Sequence, residues 1–263
     1  MNKVTKLIYP HRSDEGETTK KASNDAICPV AQCSTCRLHT LCLPGAVADT
    51  QSHYVDQIVR SRRKVKRGET LYGLNSTFRS LYAVRNGFFK TSMSMPDGRE
   101  QITGFTMSAD TMGFDGIETD RHTLEVVALE DGEVCVIPFA HLQIMAEYVP
   151  GLLQQLHKTM SREIVRDQRV LLLLGSLRAE ERVAAFLLNI SQRLSARGYA
   201  VHEFHLRMTR EEIGSYLSLK LETVSRILSQ FQKNNLIDIQ NRHVRLLDIE
   251  RLQTIGVRDH DIS

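Results

Sequence analysis

Between residues 64 and 138 the apolar positions come in short runs cut by turn residues. Lys64–Lys66, Glu69–Tyr72, Ser80–Arg85, Phe88–Met95, Glu100–Phe105, Thr123–Leu129 and Val134–Pro138 each read as a strand. Ser80–Arg85 sets Leu81 and Ala83 against Tyr82 and Val84. It ends at Asn86-Gly87, the strongest short hairpin signal, which makes Phe88–Met95 the return strand. Pro96-Asp97-Gly98 turns the chain again. Short strands at this spacing, with Gly-rich turns, predict a small β-roll or barrel.

The period changes on either side of the roll. Asp49 offers an N-cap for a short helix over 50–60, and a second short helix is predicted over 139–147. From Leu152 to Leu174 there is no Pro or Gly, and apolar residues recur at helical spacing. Steps of three and four connect Leu153, Leu156, Met160, Glu163, Asp167, Val170 and Leu174, a coiled-coil seam interrupted by two acids. Moving the seam to Ile164 and Leu171 drops Glu163 and keeps Asp167. The alternative is a helix packed on its own domain with its acids at a polar edge. We read a dimerisation helix, with Gly175-Ser176 as the break and hinge. A further helix over 179–197 places Val183, Phe186, Leu187 and Ile190 on one face, with Gly198 as its C-cap.

From Met208 the signals sharpen. Thr209 with Glu212 forms a capping box, and Ile213, Tyr216 and Leu217 give one apolar face. Ser218–Lys220 is a short turn. A second helix over 221–233 turns Val224, Ile227, Leu228 and Phe231 inward, and two strand-like runs, L-I-D-I-Q and H-V-R-L-L, follow. Together these form a winged helix-turn-helix. Glu222, Ser225 and Arg226 share the opposite face of that second helix. Arg donates in pairs to guanine, a carboxylate accepts from cytosine, and Ser suits several bases. As a bland alternative, Glu222 and Arg226 would be only an exposed helical pair.

Composition adds limits rather than identity. A formal net charge of +3 does not announce a nucleic-acid binder, so any basic surface must be local. Apolar runs such as Val170–Leu174 are far below the ~20 residues of a membrane span, and the first residues lack a signal-peptide core. A cytoplasmic, reducing setting is expected, with no membrane partner. There, four of five cysteines within Cys28–Cys42 suggest metal or redox chemistry before disulfides; unliganded thiols in a loose tail are the plain alternative. His39 and His53 lie nearby but read as solvated. No nucleophile triad or phosphate loop supports an enzyme. The expected organisation is a disordered lead over 1–27, a cysteine segment over 28–46 and a roll over 47–149. A dimerisation helix over 150–175, a winged helix-turn-helix over 176–252 and a tail over 253–263 follow. The fold class is α+β.

The order of roll, long helix and winged helix-turn-helix resembles the CRP/FNR superfamily of bacterial transcription regulators. The likeness is strongest to its oxygen-responsive FNR members, and runs from Cys33 to about residue 247. It rests on C-S-T-C-R-L-H-T-L-C-L-P, S-L-Y-A-V-R-N-G, E-Q-I-T-G-F, G-F-D, V-C-V-I-P, A-E-E-R-V-A-A-F and E-T-V-S-R. This resemblance implies a 4Fe-4S cluster held by Cys33, Cys36, Cys42 and Cys135, with Cys28 as an extra, non-ligating thiol. Four thiolates also suit structural zinc, so the choice of cluster rests on the resemblance. It further implies a homodimer while the cluster is intact, and a cluster converted to a 2Fe-2S form and then lost, with dimer separation, in oxygen. Ile164 and Asp167 occupy the dimer-switch positions. Glu222, Ser225 and Arg226 are the base readers of TTGAT…ATCAA-type sites, and RNA polymerase is a partner. Two departures stand out: Arg37 beside Cys36, and Arg99 in the turn by which relatives touch polymerase. The cyclic-nucleotide members of the superfamily need a Gly-Glu and an Arg-Ser/Thr pair. Here the places read Gly113-Phe114 and His122-Thr123, so no cyclic nucleotide is expected. Nitric oxide is an alternative effector.

Overall fold

The computed structural model describes residues 33, 36–38, 40–43, 56–95, 98–149 and 151–256. The expectations for Cys28, the lead, Asp49, His39, His53, most of the 50–60 helix and the final residues lie outside this set; of that helix, 56–58 are helical.

Eight strands build the roll: β1 (Ser61–Val65), β2 (Thr70–Tyr72), β3 (Ser80–Asn86), β4 (Phe89–Ser94), β5 (Glu100–Thr106), β6 (Thr111–Met112), β7 (Glu125–Ala128) and β8 (Gly132–Pro138). They form two four-stranded sheets, ordered β1-β8-β3-β6 and β2-β7-β4-β5. The hairpin expected at Asn86-Gly87 is not formed. β3 pairs with β6 and β8, whereas β4 pairs with β5 and β7, so the dipeptide carries the chain from one sheet to the other. Packing explains the corner. Gly87 has φ +97, and a Cβ there would sit 2.9 Å from the Gly132 Cα. Two glycines let the backbones nearly touch where the sheets diverge. The β4–β5 pair is the true hairpin, with the Met95 N–H donating to the Arg99 carbonyl at 2.8 Å.

The inner faces pack Val65, Leu71, Val84, Phe89, Met112, Val126 and Val134. The outer face of the first sheet is also covered. Leu81, Ala83 and Ile137 share a core with Cys33, Leu43, Ile58 and Val59, and with Leu142 and Met145 of α1 (Phe139–Tyr148). Leu152 and Leu156, from the first turns of α2 (Leu152–Ser176), complete it. The cysteine segment, one sheet of the roll and the start of the long helix are therefore packed as one body.

α2 ends at Ser176, where the break at Gly175-Ser176 is expected, and the chain turns extended at Leu177. Beyond it lie α3 (Ala179–Ser195), β9 (Glu203–His205), α4 (Arg210–Leu217), α5 (Leu221–Lys233), β10 (Ile237–Gln240), β11 (His243–Leu246) and α6 (Ile249–Ile255). The sequence reading missed β6 and β9, each at most three residues long, and α6, which crosses into the expected tail. The Thr209–Glu212 capping box forms on both sides. Gly214 is required at the turn, because a Cβ would meet the Leu219 carbonyl oxygen at 2.6 Å.

The second sheet of the roll packs on this domain. Phe105 contacts Phe186 and Tyr216, with ring centroids 6.1 and 5.2 Å away. The Ile102 N–H donates to Ser215 Oγ at 2.9 Å. Asp110 anchors the junction: it accepts from Arg193 at 2.5 Å and Arg197 at 2.6 Å, and Arg166 of α2 lies at 3.9 Å. Burial alone would raise this carboxyl, but Arg193, Arg166 and Arg197 outweigh it and hold it below its ordinary value.

Glu163 sits beside the junction, paired with Arg166. Burial, with Asp110 and Asp167 adding and Arg166 and Arg193 opposing, pushes its carboxyl from 4.5 up to about 7. The folded state then binds more protons than the unfolded chain between those values, so stability falls as pH rises through that window and the penalty is complete above it. Glu163→Gln is expected to raise the unfolding free energy at pH 8 by on the order of 1–3 kcal/mol. At pH 5 the gap should nearly close. Denaturant melts at the two pH values check this.

Candidate metal centre and nucleic-acid interface

Cys135 lies in the middle of β8. Its cross-strand neighbours are Arg62 on β1 and Ala83 on β3. Directly opposed residues point to the same face of a sheet, so these three side chains share the outer face. The small Ala83 leaves space above the strand, and the cysteine segment lies over it. Local turns shape that segment: the Cys36 N–H donates to the Cys33 carbonyl at 3.1 Å, and the Cys42 N–H to the Leu38 carbonyl at 2.9 Å.

Cys33, Cys36, Cys42 and Cys135 are in no disulfide, and their charges act on one another. Burial first, then the Cys135 thiol, pushes Cys33 up to about 12. Burial and neighbouring thiols also push Cys42 up, and burial raises Cys135 against the opposing charges of Arg62 and Arg85. Such thiols are protonated near neutrality and must release protons to become ligands, so metal uptake here weakens as pH falls. Among the described residues no three His, Cys, Asp or Glu side chains are already set around a point where one metal ion would sit. The donor set is nonetheless four soft thiols on one face, which suits an iron–sulfur cluster or zinc. The surroundings add cations. Arg85 is paired with the buried Glu133, and the Arg62 Nε is buried with no hydrogen-bond partner. An orphaned cationic donor beside four thiols fits an anionic group.

The roll interior is filled differently. His122 is buried, stacked on Tyr72 with centroids 3.7 Å apart, and Tyr72 also stacks on Tyr82 at 5.6 Å. Asp115 accepts from Tyr72 at 3.2 Å and from the Thr123 N–H at 2.9 Å. Burial would raise its carboxyl; His122 and the two backbone donors of Leu124 and Thr123 outweigh that and lower it. Rings and a satisfied carboxylate thus occupy the space around Gly113-Phe114 and His122-Thr123.

On α5, Val224, Ile227, Leu228 and Phe231 are all buried, while Glu222 and Arg226 are exposed and Ser225 is half-buried. Among the described residues, neither Glu222 nor Arg226 is in an ion pair with the other, so both side chains are available to a partner. Arg210 and Arg242 line one cleft at the foot of this domain. Their separation in sequence hid that pairing.

The two phases of the long helix are separated by packing. Leu156 is buried and Met160 packs against the roll, so these two face inward, whereas Leu153 at the start of the same stripe is exposed. Ile164 (56% exposed), Asp167 and Leu171 (69% exposed) face outward, joined by Val165 and Leu172. An unpartnered apolar stripe on an otherwise polar helix, with one acid in it, is the shape of a helix-pairing surface. Among the described residues no helix is long and apolar enough to cross a membrane.

Comparison with known proteins agrees with this layout. Residues 62–148 match the cyclic nucleotide-binding domain family and residues 181–255 the Crp-like helix-turn-helix domain family. The chain is 45% identical over 227 residues to the transcriptional regulatory protein btr of Bordetella pertussis, covering 86% of this chain and 94% of that protein. It is 43% identical to the transcriptional activator protein FnrA of Stutzerimonas stutzeri, covering 83% and 89%. It is 39% identical to the fumarate and nitrate reduction regulatory protein of Vibrio cholerae, covering 86% and 90%. Among solved structures, FixK2 from Bradyrhizobium japonicum superposes with a TM-score of 0.69 at 29% identity, covering 74% of this chain and 96% of that one.

Proposed function

The chain belongs to the CRP/FNR family of transcription regulators, alongside its FNR-type members, and on that premise we propose that it regulates transcription in response to oxygen through a 4Fe-4S cluster. Like its relatives it is a DNA-binding regulator rather than an enzyme. The observation that carries the oxygen-sensing reading is the shared core. Cys33 and Leu43 of the thiol segment pack with Leu152 and Leu156 of the long helix. A change at the thiols therefore reaches the helix through side chains in contact.

Cys33, Cys36, Cys42 and Cys135 would hold the cluster, three from the segment and one from β8. Bound there, the cluster would supply reactivity toward oxygen. Closing the segment onto β8 fixes Cys33 and Leu43 against Ile137 and Leu152. That sets the start of α2 and, with it, the outward stripe of Ile164, Asp167 and Leu171. Two such stripes pair about a two-fold axis. Asp167 then faces its copy, and the repulsion keeps association marginal, so a bias of a few kcal/mol decides it. The dimer presents two α5 helices to the two halves of a palindrome. Glu222, Ser225 and Arg226 read bases in each half, and the roll's β4–β5 turn near Arg99 faces RNA polymerase.

Purification without oxygen, followed by iron and sulfide analysis, tests this. Brown protein with about four irons supports the reading, whereas colourless protein with one bound zinc rejects it. For the DNA contact, Arg226→Ala is expected to cost roughly 1–3 kcal/mol at one base pair of each half-site and to relax preference there. Titrations of dimeric protein against operator and single-base variants show whether it does.

A further inference from the structure

We propose that Arg62 is a positioning residue for the anionic group at the thiol site: its guanidinium lies beside Cys135 as the counter-charge and donates a hydrogen bond to sulfur when the site is filled. The inference rests on the cluster reading above. It starts from the ladder between β1 and β8, which sets Arg62 directly opposite Cys135. The charge of Arg62 acts on both Cys33 and Cys135, so the side chain spans the junction between segment and roll. Its Nε is buried and has no hydrogen-bond partner.

The neighbouring cations are committed elsewhere. Arg63 donates to the Leu71 carbonyl at 3.0 Å and to Glu69 at 2.9 Å. Arg85 is paired with Glu133. Arg62 is in no ion pair among the described residues. A buried donor on a cation without a partner costs free energy, and such a group is retained where an absent acceptor completes it. Four thiolates around iron carry net negative charge, and burying that charge calls for an opposite one close by.

The chemical consequence has a definite sign. Loss of one electron from the bound cluster to dioxygen, which would leave as superoxide, would make the group less negative. A fixed positive charge beside it opposes that loss, so Arg62 raises the potential and slows oxidation. A hydrogen bond to sulfur acts in the same direction.

The test compares the full-length parent with Arg62→Gln and Arg62→Lys, each purified without oxygen and analysed for iron and sulfide. Visible absorbance is then followed in air-saturated buffer, and the midpoint potential is measured by redox titration. Arg62→Gln is expected to lose its absorbance about tenfold faster and to show a lower potential. Arg62→Lys keeps the charge without the Nε donor and should fall between. A brown Arg62→Gln protein with the parental decay rate and potential overturns the inference and leaves the cluster reading standing. A colourless parent overturns the cluster reading itself, and this inference with it. Unfolding of the metal-free proteins separates positioning from scaffolding. Without an acceptor the unpartnered Nε contributes nothing, so metal-free Arg62→Gln should be no less stable than the parent. A clear loss of metal-free stability would assign Arg62 to the fold and overturn the proposal.

Discussion

Replacing Cys135 with alanine should leave the protein without its iron and cut operator affinity without oxygen by about 10²–10⁴, the advantage that two linked half-site readers hold over separate ones. Cys135 is the one thiol of the proposed set that belongs to the sheet rather than to the overlying segment. Without it, Cys33, Cys36 and Cys42 lose their thiol partner on the roll, and only the apolar contacts of Cys33 and Leu43 hold the segment against Leu152. Cys28→Ala should keep both iron and DNA binding nearly intact. Iron analysis and gel-shift titration under nitrogen give both answers. Equal losses from the two variants would mean that the ligand set is wrongly divided.

Asp167→Ala should give a dimer that persists in air. Asp167 lies between Ile164 and Leu171 on the outward stripe, where the proposed two-fold axis would bring it near its own copy. Like charges placed against each other at an interface cost several kcal/mol. Removing both should tighten dimerisation by roughly 1–3 kcal/mol, or about five- to 150-fold. Sedimentation of the air-exposed variant decides the matter: a monomer with the parental transition would remove Asp167 from the switch. Ile164→Ala is the natural control, since it removes apolar contact from the same stripe and should weaken the dimer.

Much of this architecture could be read from the chain because local and tertiary preferences agree. The Thr209–Glu212 box, the turn at Ser218 and the inward set Val224, Ile227, Leu228 and Phe231 all stand where the pattern places them. The roll's strands were legible for the same reason. Asn86-Gly87 misled because a backbone that tolerates positive φ serves a sheet-to-sheet corner as well as a hairpin. Only the pairing of β3 with β8, many residues away, decides between them. The thiols announced themselves by density, but Arg62 did not: within S-R-R-K it reads as one solvated cation among several, and only the strand register sets it beside Cys135. Asp110 was silent for a similar reason. A lone carboxylate has no pattern, and its three arginines come from α2, α3 and the turn that follows α3.

The joint core of Phe105, Phe186 and Tyr216 bears on how this protein can be taken apart. Phe88, Ile102, Met107 and Leu129 of the roll belong to the same buried set as Val183, Ile213 and Leu228 of the DNA-reading half. A fragment cut at Leu177 would expose that apolar wall to water. The two halves are thus conjoined rather than strung together. Heating should melt them in a single calorimetric transition, and grafting this DNA-reading half onto another sensor would require repairing the surface left behind.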